Sequence, residues 1–145
     1  MPTIADVTQL SEKIIAEISD AILFADREGI IRVWNRGAER MFGIAAKEAV
    51  GQSLDLIIPE NLRNRHWEGY RRVMDTGETK YKTGLLSSPA LRSDGSRISL
   101  EFSMAIVRDE DGAIAGCASI LRDVTERWRK EKEMMARLKA LEGRN

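Results

Sequence analysis

Only one side chain in this 145-residue sequence combines metal-ligand chemistry with a pKa near neutrality: His66, the single histidine. It sits in Leu62-Arg63-Asn64-Arg65-His66-Trp67-Glu68-Gly69-Tyr70-Arg71-Arg72-Val73-Met74, which reads as a helix. Residues three and four apart share a helix face, so Leu62, His66, Tyr70 and Val73 form one stripe that aims the imidazole at an apolar interior. Arg63, Arg65, Glu68, Arg71 and Arg72 fall mostly elsewhere. An inward imidazole in a small domain has two readings. It is an axial ligand for an iron porphyrin, or a core histidine hydrogen-bonded to a backbone carbonyl. Trp67 and Tyr70 compete for the same inner face, and on the helix pattern alone the core histidine is the commoner case.

Other chemistry is sparse. Cys117 is the only cysteine, so there is no internal disulfide and no cysteine-rich metal site, as suits a reducing cytoplasm. No activated nucleophile lies beside a base, and neither a Gly-rich phosphate loop nor a kinase signature occurs. The expectation is a protein that is not an enzyme.

The elements that must position His66 follow from composition and pattern. A chain with 43% hydrophobic and 32% charged residues is globular rather than disordered, and its length suits one domain with flanking segments. Twenty-three basic and twenty-three acidic side chains cancel, which argues against nucleic acid or anionic lipid as partner. The apolar runs are too short to span a membrane, and Met1-Pro2-Thr3-Ile4-Ala5-Asp6 lacks the features of a secretion signal, so a cytoplasmic location is expected.

Residues 1–18 read as an amphipathic helix, with Ile4, Val7, Leu10, Ile14, Ile15 and Ile18 at helical spacing. Ala21 to Asp26 and Ile30 to Trp34 read as a hairpin around Gly29. Asn35 is a plausible N-cap for a helix through Phe42 that Gly43 ends, and a short helix covers Ala46 to Val50. Pro59-Glu60 opens the His66 helix. Three strands then follow, at 80–91, 97–108 and 113–122, joined by Asp-Gly turns. On the middle strand Ile98, Leu100, Phe102, Met104 and Ile106 alternate with polar residues. The order predicts an α+β fold, a five-stranded antiparallel sheet with helices on one face. Residues 124–145 form a charged helix capped by Asp123 or Thr125. Its seams through Trp128, Met135 and Leu138 suit a short dimer contact better than a long coiled coil.

The order of elements and several motifs resemble a PAS domain, the small sensory module of bacterial signalling proteins. The matching stretches are Ile22 to Asp26 with Gly29-Ile30-Ile31, Trp34 to Gly43, Val50-Gly51-Gln52, Arg92-Ser93-Asp94-Gly95, and Leu121-Arg122-Asp123-Val124-Thr125-Glu126-Arg127. They imply a sensor domain over residues 19–123, flanked by the N-terminal helix at 1–18 and a signalling helix at 124–145. The segment from Ile58-Pro59-Glu60 to Arg65-His66-Trp67-Glu68-Gly69-Tyr70 further resembles the haem-binding, FixL-type branch. There a Pro-Glu start precedes Arg-His-x-x-Tyr and the histidine is the proximal haem ligand. Here one extra residue separates His66 from Tyr70.

That resemblance implies haem b ligated by His66, with Tyr70, Leu86, Phe102, Met104 and Ile120 against it, and Met104 a candidate sixth ligand through its thioether. The plainer reading of Met104 is a core methionine in an alternating strand. Leu86 stands where the branch carries an arginine that donates to bound oxygen, so this pocket is expected to favour CO or NO over O₂. Arg63, Arg65, Arg71 and Arg72 are candidates for pairing with the propionates, although helix arginines are more often solvated. Trp34 and Trp67 could stack on a ring, but buried tryptophans usually just pack. Flavin is not expected, because the photoactive flavin-binding PAS domains need an Asn-Cys-Arg-Phe motif and Cys117 lies in Gly116-Cys117-Ala118. The resemblance also implies a homodimer through the terminal helices and a histidine kinase or regulator downstream. A haem-free interaction module and a metabolite-binding domain are the alternatives.

Overall fold

The computed structural model describes residues 4–79 and 85–143. Helix α1 is Ile4–Glu17, followed by strands β1 (Ala21–Asp26) and β2 (Ile31–Trp34) and helices α2 (Arg36–Phe42), α3 (Ala46–Ala49) and α4 (Arg63–Thr76). Strands β3 (Leu86–Leu91), β4 (Arg97–Arg108) and β5 (Ile114–Asp123) come next, and α5 (Thr125–Glu142) closes the chain. The part of the third expected strand at 80–84 lies outside the described residues.

The strands form one antiparallel sheet in the order β2-β1-β5-β4-β3, so the first and last strands meet at its centre. This is the α+β architecture expected. The core lies between that sheet and α2, α3 and the turns before α4, built from Leu23, Ile31, Trp34, Phe42, Leu54, Ile57, Leu100 and Leu121 among others. Alternation makes β1 amphipathic, with Ala21, Leu23 and Ala25 buried. In β4 the same parity buries Ile98 and Leu100, but Met104 is 39% exposed. The far half of this strand runs out beyond the core, beside α4.

Two polar knots hold the frame. Asn35, 4% exposed, caps α2: its side-chain oxygen accepts from the amides of Ala38 and Ile22. Its amide nitrogen donates to the carbonyls of Ile15, Ile18 and Asp20, tying the end of α1 to the core. The second knot is at the start of α5. Val124 N–H donates to Ser99 O, Ser99 N–H donates to the Thr125 hydroxyl oxygen, and Asp123 accepts from Thr125 N–H. Arg127 then pairs with Glu101 of β4.

Both outer helices leave apolar side chains in the open. On α1, Val7, Leu10 and Ile14 are 48–51% exposed, and on α5 no residue is buried, with Trp128 at 50% and Leu138 at 53%. Among the described residues no helix is long and apolar enough to cross a membrane.

Candidate functional site

Helix α4 is aimed by what precedes it. Two short 3-10 turns, Leu54–Ile57 and Glu60–Leu62, deliver the chain to Arg63, whose guanidinium donates to the carbonyls of Ile58 and Asp55. That occupies one of the arginines considered for an anionic ligand. Trp67 donates its indole N–H to the Asp55 carboxylate at 2.7 Å and lies over Gly29, where an added Cβ would fall 2.2 Å from the ring. Trp67 and Trp34 are therefore packing residues, the latter donating to Ile44 O within the core. The inner stripe of α4 is also rotated slightly from the expected one: Met74 is its most buried residue, and Leu62 lies in the turn ahead of it.

Between α4 and the sheet are two adjoining cavities, of 140 and 480 Å³. His66, Tyr70, Phe102, Met104 and Cys117 border both, so the two meet at these side chains. The smaller runs inward to Leu23, Ile57 and Leu121, and the larger runs outward along α4 past Gly69, Arg72 and Leu86. Of the expected site residues, His66, Tyr70, Leu86, Phe102 and Met104 are thus brought to one space.

Ile120 is not. It is 49% exposed on the opposite face of β5, and the expectation that it lines the pocket is corrected. Successive strand residues point to opposite faces, so Cys117, Ser119 and Leu121 face the cavity and Ile120 faces away. The signal was present: Arg122 belongs outside, and Ile120 shares its parity. Cys117 and Ser119 were missed for the same reason. Burial pushes the Cys117 thiol up, with the Ser119 side chain and the Ala105 backbone partly countering.

His66 borders this space, and its Nδ1, closed off from solvent and cavity alike, has no hydrogen-bond partner, the only such side-chain nitrogen or oxygen among the described residues. Its ring stands edge-on to Trp67 and tilted against Tyr70. Burial lowers the imidazole pKa below its ordinary 6.5, with the Asp55 carboxylate opposing. Tyr70 differs: its hydroxyl donates to Asp26 O at 2.5 Å and lies 3.1 Å from Ala25 O, pinning α4 to β1. Burial raises its pKa strongly, with Cys117 next among the causes. Only the ring of Tyr70 is left to face a ligand.

A model of the PAS fold matches residues 15–129. The chain belongs to the PAS family. This PAS domain is 29% identical over 129 residues to the sensor protein FixL of Bradyrhizobium diazoefficiens, covering 89% of this chain and 24% of that protein. It is 27% identical over 90 residues to the oxygen sensor protein DosP of Escherichia coli, covering 62% of this chain and 11% of that one. The chain spans less than a quarter of the length of the curated relatives FixL and DosP. Among solved structures, an RNA-binding light-oxygen-voltage receptor superposes with a TM-score of 0.78 at 21% identity, covering 94% of this chain and 38% of that one. That likeness is one of fold. The protein is a sensory domain of the kind found in signalling proteins.

Proposed function

We propose that this PAS domain binds haem b between α4 and the sheet through His66, senses a diatomic gas (CO, NO or O₂) or redox state, and signals through α5. The observation that carries the reading is His66 on the wall shared by both cavities, with no hydrogen bond at its Nδ1. Because Nδ1 is sealed off from the cavities, an iron lying there would be taken by the other ring nitrogen, Nε2. The space beside it supports the reading, since 480 Å³ falls within the range of about 300–1,000 Å³ usual for small-molecule sites. The similarity to FixL and DosP points the same way.

When bound, haem b would supply an iron able to take a diatomic gas and to change oxidation state. The rest falls to the chain. His66 would hold the iron from α4, and Tyr70 keeps that helix against β1 through the Asp26 and Ala25 carbonyls. Phe102, Met104 and Leu86 form the opposite wall, with Met104 the candidate sixth ligand. Leu86 offers no hydrogen-bond donor, so CO and NO are favoured over O₂. Arg65 and Arg72 border the mouth and suit the acidic edge of the ring. Flavin is not expected, because Cys117 sits on β5 outside the motif that flavin photochemistry needs.

The output route is β4. This strand carries Phe102 and Met104 at the cavity, while its Ser99 and Glu101 grip the start of α5. A shift of the wall therefore reaches the signalling helix, an element whose position the ligand biases. On this reading residues 1–18 and 124–145 flank a sensor domain at 19–123. The chain is a cytoplasmic non-enzyme that dimerises through α1 and α5 and acts on a histidine kinase or regulator.

The test is the near-ultraviolet and visible absorbance of protein expressed with a haem precursor, beside His66→Ala. A Soret band present in the first and lost in the second, with the fold retained by circular dichroism, is the expected result. Colourless protein in both samples would instead favour a haem-free interaction module, the reading that the exposed apolar face of α1 supports.

A further inference from the structure

Gly69 lies in the interior of α4, where glycine is disfavoured relative to alanine because its backbone loses more freedom on folding. The other described glycines have a reason in the fold. Those in turns and helix caps have positive φ, while a Cβ on Gly37 or Gly116 would fall 2.2 or 2.1 Å from the carbonyl oxygen of Asp20 or Ala25. Gly143 ends α5. Gly69 has none of these: its φ is not positive, and an added Cβ would meet nothing within 4 Å. The space it leaves is not arbitrary. Three residues after His66 and four before Val73, it shares their helical stripe and borders the 480 Å³ cavity with them.

We infer that Gly69 is a specificity-determining residue, whose missing side chain opens the gap between His66 and Val73 through which a flat ring ligand lies against α4. This rests on the haem reading of the same cavity and names a feature of the ligand: a broad planar edge that needs the helix surface bare. A side chain at this position would project into that gap and displace the ring while leaving the fold intact. Ligation by His66 and accommodation at Gly69 are separate requirements. The first needs iron and the second does not.

Two ring ligands separate them: haemin, and protoporphyrin IX without metal, each titrated by quenching of tryptophan fluorescence. The proteins are the wild type, His66→Ala, Gly69→Ala and Gly69→Leu. Gly69→Leu is expected to weaken binding of both ligands by about ten-fold or more, the scale of overfilling a formed pocket. His66→Ala should lose the Soret shift with haemin yet keep protoporphyrin IX binding. Melting temperatures of the ligand-free glycine variants should equal or exceed the wild type, because both replacements favour helix. Wild-type affinity for both ligands in Gly69→Leu would overturn the inference while leaving His66 ligation standing. A haemin spectrum that is unchanged by His66→Ala, with ring binding still lost in Gly69→Leu, would overturn the ligation and uphold the gap. Failure of the wild type to bind either ring would overturn both.

Discussion

His66 is legible in the ligand-free protein before any cofactor is added, through its proton. Burial holds the folded-state pKa of the imidazole below its ordinary 6.5, with the Asp55 carboxylate opposing. The unfolded chain therefore takes up the proton first as pH falls. The folded state keeps its full stability above the unfolded pKa and loses it as pH drops through the lower folded value. The melting temperature of ligand-free protein is expected to decline between about pH 7 and pH 5 more steeply than that of His66→Gln, which cannot titrate. Equal slopes would mean that the imidazole is solvated in the folded state.

At the scale of elements, the sheet packs on α2 and α3 through the apolar core, while the end of α1 and the start of α5 are tied on by polar bonds. Asn35 serves α2 as a cap while holding the last carbonyls of α1, so one side chain couples the N-terminal helix to the domain. Asn35→Ala should cost about 2–4 kcal/mol in denaturant unfolding, a lost cap plus groups left unpaired in a buried site. Asn35→Asp should also be destabilising, since a carboxylate can accept from Ala38 and Ile22 but cannot donate to the three carbonyls. A loss smaller than about 1 kcal/mol in both variants would show that water replaces the network. At the other end, Thr125→Val removes the acceptor for Ser99 N–H and loosens the start of α5. Faster amide exchange at Ser99 is the expected readout, and unchanged protection would mean that this amide is shielded without the Thr125 hydroxyl.

For the whole molecule, the question is what covers its outer surfaces. Val7, Leu10 and Ile14 of α1 and Trp128, Met135 and Leu138 of α5 are each about half exposed or more. Such stripes suit association of two copies, with apolar surface removed from water on both sides. On the dimer reading, Ile14→Asp or Ile18→Asp should shift sedimentation velocity from dimer to monomer at concentrations where the wild type stays paired. Unchanged sedimentation of both variants would remove α1 from the interface.

Most of the architecture could be read from the chain, because it rests on local rules. The Asn35 cap, the Gly43 stop, the Asp-Gly turns and the alternation of β4 each act over a few residues and left little freedom in element type or order. His66 as an inward side chain followed from helical spacing in the same way. Three things were decided only by tertiary structure. The outward side of Ile120 was legible from its parity with Arg122, but only the register of β5 with β1 and β4 brought Cys117 and Ser119 to the cavity. The role of Trp67 depended on Gly29, distant in sequence, making room for its ring. The unpaired state of the His66 nitrogen depended on every neighbour that might have bonded to it. Spacing along one helix sets the direction of a side chain, but only the packed surroundings determine whether it finds a partner there.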